Sequence, residues 1–321
     1  MPKHAYVTFL FRNNRYLPGA LLFAYALRRQ QTRADIVCLV SQGVSWQSVK
    51  ALKVLYDAVI HVDEIFVDNL HKHERADLPY LFTRFNALRL GNDGDLGRYY
   101  DKIVAADADV LPLRRYDSLF ALDTPAGILN ERPEHFLRCD HNGRYIVAES
   151  VYATGEWMWH EAYNPICPHG RKIPAHITDR VKTDPQNMGV NSSLYVLSPH
   201  MADFDSIVRD ISREDVRAAV GRFRWPEMQY LTMAWSGRWH NIDLRFCGFN
   251  GYPHSRVLHG LHFAGRKPWL AERLSDPKSL ARILRFPDVA LWFRYFRGMA
   301  ADYPEVLRAG RVRRLWELVR G

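Results

Sequence analysis

The residues with the clearest chemical use are Asp107 and Asp109, flanking Ala108 directly after the apolar run Lys102 to Ala106. Two positions apart in extended backbone, their carboxylates would project to the same side and could share one cation. Hard oxygen ligands of this kind suit Mn²⁺ or Mg²⁺. The pair has a second reading, because acidic residues at strand ends often only cap the next turn. Its meaning therefore depends on what else the chain carries and in what order.

Four more blocks accompany it. Tyr6-Val7-Thr8 is followed by Asn13, Tyr16 and Gly19-Ala20-Leu21. Arg75 and Arg84 stand nine apart ahead of Tyr100-Asp101-Lys102-Ile103-Val104-Ala105-Ala106-Asp107-Ala108-Asp109-Val110-Leu111. Asn191-Ser192-Ser193-Leu194-Tyr195-Val196-Leu197-Ser198-Pro199 comes next, and His262-Phe263-Ala264-Gly265-Arg266-Lys267-Pro268-Trp269 comes last. Taken together, and in this order, the blocks resemble glycosyltransferase family 8, the glycogenin-like nucleotide-diphospho-sugar transferases. The chain departs from that pattern in four places: one extra residue in the first loop, Arg84 where lysine is usual, Ser193 for glycine, and a last loop one residue shorter.

The resemblance implies a retaining hexosyltransferase with a GT-A fold, a UDP-sugar donor (UDP-glucose or UDP-galactose) and Mn²⁺, with Mg²⁺ as the alternative. It implies that Tyr16 and Asn13 receive the nucleotide, that Arg75 and Arg84 contact the diphosphate, and that Asn191 and Ser192 hold the donor sugar. Asp107, Asp109 and His262 would bind the metal, Ala108 would lie between the two carboxylates, and Gly265 and Lys267 would grip the phosphate. His259, three positions earlier, competes with His262. In catalysis Asp107, Asp109 and His262 would hold the metal against the departing diphosphate, and Lys267 and Arg84 would add fixed positive charge.

Where the family often has Asp-Gln, this chain reads Trp225-Pro226-Glu227-Met228-Gln229. Methionine cannot be a nucleophile. On a helix Glu227 and Gln229 point about 200° apart, so with Gln229 facing the sugar Glu227 is expected to turn away. Same-face displacement is then the expected route to retention.

These residues need a scaffold, and the patterning predicts one. Apolar β-rich runs at 6–11, 35–40, 58–67 and 102–106 alternate with helical spacing at 17–29, 46–56 and 81–90, as in a parallel sheet covered by helices. The acidic pair then sits at a strand's carboxyl end, where open α/β sheets gather ligands. The fold expected is α/β, a Rossmann-like GT-A fold with a mostly parallel central sheet flanked by helices and a helical C-terminal tail. A further strand is expected at 193–197, and a helix opening at Trp225-Pro226. The expected catalytic domain spans 1–270. Within it 131–186 reads as an irregular insertion, whose Tyr152, Trp157, Trp159 and Tyr163 would suit an acceptor region. The basic extension is 271–321.

Composition sets outer bounds. With 47% hydrophobic and 25% charged residues the chain is that of a globular protein, not a disordered one. A formal charge of +9 favours anionic partners. No nucleic-acid motif accompanies it, so nucleic acid is not expected as a partner. Four scattered cysteines without a C-x-x-C pair read as free thiols. No secretory signal or spanning segment is visible, which predicts a cytoplasmic protein. The arginine-aromatic tail, with Leu291-Trp292-Phe293-Arg294-Tyr295-Phe296-Arg297, has two readings: helices packing their apolar faces on the core, or peripheral membrane contact. The expected partners are a UDP-sugar and a glycan, protein or small-polyol acceptor, with a homodimer left open. Self-glucosylation and a catalytically degenerate scaffold stand as alternatives.

Overall fold

Apolar runs bounded by turn residues become the first strands. His4–Leu10 (β1) buries every residue after His4, and Leu17–Arg29 (α1) starts on a first-turn proline and ends on two arginines, whose charge suits a helix C-terminus. Asp35–Val40 (β2), Trp46–Leu52 (α2) and Ala58–His61 (β3) follow. The computed structural model describes residues 2–129, 167–184, 187–250, 255–264, 267–270 and 277–320.

Leu78–Leu90, expected as an α-helix over 81–90, winds instead as a 3₁₀ segment. Next come Lys102–Ala106 (β4), Val110–Pro112 (β5) and Ala126–Leu129 (β6). Two single turns, Ala175–Thr178 (α3) and Arg180–Thr183 (α4), lie in the stretch expected to be irregular. The rest of that stretch falls largely outside the described residues, and with it the four aromatic candidates for acceptor contact. Val190–Leu197 (β7), Met201–Ser212 (α5), Glu214–Val220 (α6), Pro226–Ala234 (α7) and the short strands His240–Asn241 (β8), Gly248–Phe249 (β9) and Gly260–His262 (β10) follow. The tail carries Pro277–Ile283 (α8), Pro287–Asp302 (α9) and Gly310–Val319 (α10).

The main sheet runs β3-β2-β1-β4-β7-β6-β8. It is parallel from β3 to β4 and between β6 and β8, while β7 is antiparallel to both neighbours. This is the α/β architecture expected, mostly parallel and flanked by helices. A small sheet, β5-β10-β9, stands at the carboxyl end of β4. Alternation along β1 divides the core: Tyr6 and Leu10 pack toward α1 and the tail, while Ala5, Val7 and Phe9 pack toward the 3₁₀ segment and α7.

The tail joins the first of these cores. Trp292, Phe293 and Phe296 are at most 1% exposed. Trp292 lies 5.3 Å from Trp269 and stacks on Phe296 at 5.5 Å. The Tyr25 hydroxyl donates to Asp302 at 2.7 Å, tying α9 to α1. The aromatic residues are thus spent on packing while Arg294 and Arg297 stay exposed. No described helix is long and apolar enough to cross a membrane. Trp292→Ala should therefore cost about 3–5 kcal/mol of folding stability, and Arg294→Ala less than about 0.5 kcal/mol, both read by chemical denaturation. Equal, small losses would mean that the tail does not share the core.

Candidate active site

β4 ends one residue before Asp107, and β5 starts one residue after Asp109. The pair lies in a turn rather than in the extended backbone expected for it. The Val110 N–H donates to the Asp107 carbonyl at 3.1 Å, closing the turn. Two neighbours pin it from either side: Asp107 N–H donates to the Ser193 carbonyl at 2.9 Å, and Phe263 N–H to the Asp109 carbonyl at 3.0 Å. The second contact extends the β5–β10 pairing, in which His262 stands opposite Val110. Strand pairing thus delivers the histidine to the aspartates across a separation of 153 residues in sequence (109 to 262).

Asp107, Asp109 and His262 each offer a ligand atom, and these atoms lie within 4.8 Å of one another. His262 Nε2 stands 3.4 Å from Asp109 Oδ1. His259 takes no part: its ring lies against Phe246 at 4.6 Å, and burial lowers its pKa. The residues fit a divalent cation on a physical ground besides proximity. Asp109 Oδ1 is buried and accepts no hydrogen bond, so its charge is met only by the His262 ring 3.4 Å away, whose proton a divalent cation would replace.

Two permanent cations face the carboxylates. The Lys267 ammonium pairs with Asp109 Oδ2 and also donates to the carbonyls of Phe263 and Ala264. Arg84, 6% exposed, pairs with Asp107 Oδ1 and donates to the Ser192 carbonyl at 3.0 Å and the Ser192 hydroxyl at 2.8 Å. Its Nη1 also lies 3.4 Å from Glu227 Oε1. Burial works against both cations, yet the facing carboxylates hold both pKa values raised. Burial would likewise raise Asp109, but Lys267 and His262 hold it well below the usual carboxylate range. Asp107 is raised, chiefly by burial, against the pull of Arg84. His262 is pushed up to about 10, burial notwithstanding, by Asp109.

Asn191 and Ser192 lie on β7, nearly buried, with the Asn191 side chain accepting from Ser193 N–H at 2.8 Å. The Tyr16 ring lies 5.8 Å from the Lys267 ammonium and edge-on to Trp269 at 5.9 Å. Gly19 explains the closeness of these parts: a Cβ there would fall 2.2 Å from the Ala108 carbonyl and 2.7 Å from the Trp269 ring. Asn13 and Arg75 stay exposed and outside the metal group, Asn13 accepting from Arg15 N–H at 2.8 Å and Arg75 pairing with Asp77 at 2.7 Å. Gly265 falls outside the described residues.

The helix bearing Glu227 and Gln229 has the opposite phase to the one expected. Gln229 is fully buried, its carbonyl accepting from Trp225 N–H at 2.9 Å and its amide donating to the Asn187 carbonyl at 2.9 Å. Glu227 instead faces the site: the Ser192 hydroxyl donates to Oε1 at 2.9 Å, and Oε2 is buried without a partner. Three carboxylates therefore share the pocket with two permanent cations. The deficit of one positive charge is filled by protonated His262, and a dication in place of that proton would leave one positive charge in excess, which suits an anionic diphosphate.

No protein-family profile matches the chain. It is 28% identical over 292 residues to protein R707 of Acanthamoeba polyphaga mimivirus, covering 87% of this chain and 86% of that one. Over 120 residues it is 39% identical to glycogenin-1 of Caenorhabditis elegans, covering 36% of this chain. It spans only 26% of that glycogenin's length. Among solved structures the galactosyltransferase LgtC, determined with donor and acceptor sugar analogues, superposes with a TM-score of 0.51 at 13% identity, covering 89% of this chain and 95% of that one. The structural likeness establishes the fold; with the glycogenin similarity, it supports a nucleotide-sugar glycosyltransferase.

Proposed function

We propose that the chain is a retaining, metal-dependent hexosyltransferase that moves a sugar from a UDP-sugar, UDP-glucose or UDP-galactose, to a glycan, protein or polyol hydroxyl. The observation that carries this is the convergence of Asp107, Asp109 and His262 within 4.8 Å at the carboxyl end of β4, with a buried carboxylate oxygen among them that accepts no hydrogen bond. Mn²⁺ is the proposed ion, since the donor set mixes carboxylate oxygen with imidazole nitrogen. When bound there, it would neutralise charge developing on the departing diphosphate. Lys267 adds fixed positive charge beside it, Arg84 holds Asp107 and Ser192 in place, and Tyr16 offers a ring face to the base.

Glu227 at the site removes the original ground for same-face displacement, namely a glutamate turned away. The route is still the proposed one, on a different ground. The Glu227 charge faces Arg84, which weakens it as a nucleophile, and its Oε2, left without a partner while Oε1 takes the Ser192 hydroxyl, suits it to receive a donor-sugar hydroxyl. Glycogenin-like self-glucosylation is read in the same assay, because it adds hexose mass to the chain without an added acceptor.

Incubated with a panel of UDP-sugars, the protein should release UDP from one preferred donor with Mn²⁺ and not with EDTA. Asp109→Ala should lower the rate by roughly 10²–10³-fold or more. Release that ignores EDTA and the substitution would refute the metal-dependent transferase. Glu227→Gln should retain activity, reduced roughly 10–100-fold, and mass spectrometry should find no hexosyl ester on the wild-type side chain; a trapped ester at Glu227 would replace same-face displacement with double displacement.

The pH dependence follows from His262. Its pKa is raised from 6.5 to about 10, so its proton stabilises the metal-free fold fully below about pH 6.5, and that contribution is lost as pH rises through about 10. A cation must displace the same proton. Metal affinity should therefore rise with pH across this window, and binding near pH 7 should release about one proton, read by calorimetry in buffers of different ionisation enthalpy. Metal binding without proton release would remove His262 from the ligand set.

A further inference from the structure

An open cleft of about 650 Å³ lies between the loop joining β1 to α1, the start of α2 and the start of α10. Five arginines line it, Arg15, Arg308, Arg311, Arg313 and Arg314, and none of the lining residues is acidic. The first turn of α10 forms part of the wall, and its N-cap residue, Ala309, offers no side-chain hydrogen bond to the turn's N–H groups. None of the three proposed metal ligands lines it.

Some arginines elsewhere meet carboxylates: Arg28 with Asp57 at 2.9 Å, Arg89 with Asp95 at 2.7 Å, Arg213 with Asp215 at 2.7 Å. Arg15, Arg308, Arg313 and Arg314 make no ion pair among the described residues. Like charges gathered in a concave site reinforce one another's field, and they raise the local concentration of anions. Guanidinium forks match phosphate oxygens two at a time, and an uncapped helix N-terminus adds donors of the same polarity.

We propose that this cleft binds a phosphate-bearing anion, which ties the C-terminal tail to the loop leading into Tyr16. The volume exceeds a single orthophosphate, and the four arginines without an ion pair can donate to more oxygens than it carries, so the ligand bears at least two phosphate groups or a phosphate on a larger body. The two sources of such chemistry are a soluble phosphorylated metabolite and an anionic lipid headgroup. The proposal uses neither the metal group nor Lys267, although Asn13, expected to receive the nucleotide, also lines the cleft.

The test uses the full chain in EDTA, which silences the metal group. Inorganic diphosphate is titrated by calorimetry, and phosphatidylcholine vesicles with or without phosphatidic acid are tested by co-sedimentation. The proposal expects diphosphate binding that weakens with salt, that falls roughly tenfold or more in the Arg313→Gln/Arg314→Gln double variant, and that persists in Asp109→Ala. Both arginines are exposed, so the double variant should fold, as circular dichroism would verify. Arginine-dependent capture by phosphatidic acid vesicles alone supports the headgroup source. Binding of neither probe, or binding indifferent to the two arginines, overturns the proposal.

Discussion

The buried guanidinium of Arg84 is the interaction on which the site depends. It stands on the 3₁₀ segment and reaches the Asp107 turn, Ser192 of β7 and Glu227 of α7. A single planar fork thereby fixes the relative position of four elements. Lysine, with one compact charge, could not span them. Taking a guanidinium out of water is expensive, and two carboxylates plus a hydroxyl and a carbonyl offset that cost only while all remain in place. The site's residues are thus interdependent, and losing one partner leaves the others buried and underpaired.

A second linkage runs from the tail to the same turn by packing instead of charge. Trp292 of α9 lies on Trp269, whose ring edge sits where a Cβ on Gly19 would be, and Gly19 in turn abuts the Ala108 carbonyl between the two aspartates. The Trp269 indole N–H also donates to the Arg15 carbonyl at 3.0 Å, just before Tyr16. Dense interiors transmit displacement because they contain few voids. The tail therefore bears on the position of both the loop that carries Tyr16 and the aspartate turn, although no described tail residue belongs to the Asp107, Asp109 and His262 group.

How much was legible follows from how each feature is encoded. The bounds of α1, β2 and β4 could be read because long apolar runs meet turn residues at both ends. β5 and β10, three residues each, are too short for any period to register, yet their pairing brings His262 to Asp109. The aspartates could be chosen from their place after a buried strand, but not their geometry. Alternation of side chains describes a strand, and Asp107 to Asp109 is a turn held by Ser193 and Phe263. Arg84 carried a sequence signal only as a phosphate contact. Its role as a joint between elements depends on partners 23 to 143 residues away (107 and 227 against 84).

Glu227 and Gln229 show where periodicity stops. The 3.6-residue repeat sets their relative directions correctly, opposite to one another, but says nothing about which of them meets the site. That is decided by what lies across each face of α7. On one face a backbone N–H at Trp225 needs an acceptor and a carbonyl at Asn187 needs a donor, and a carboxamide supplies both whereas a carboxylate cannot donate. On the other stands the Arg84 guanidinium, which needs an anion. Exchanging the two side chains would set a charge beside a carbonyl and leave the arginine short of a counterion, each costing more than any preference of the helix itself. The polar chemistry of the neighbouring elements, not the helical phase, therefore orients the pair.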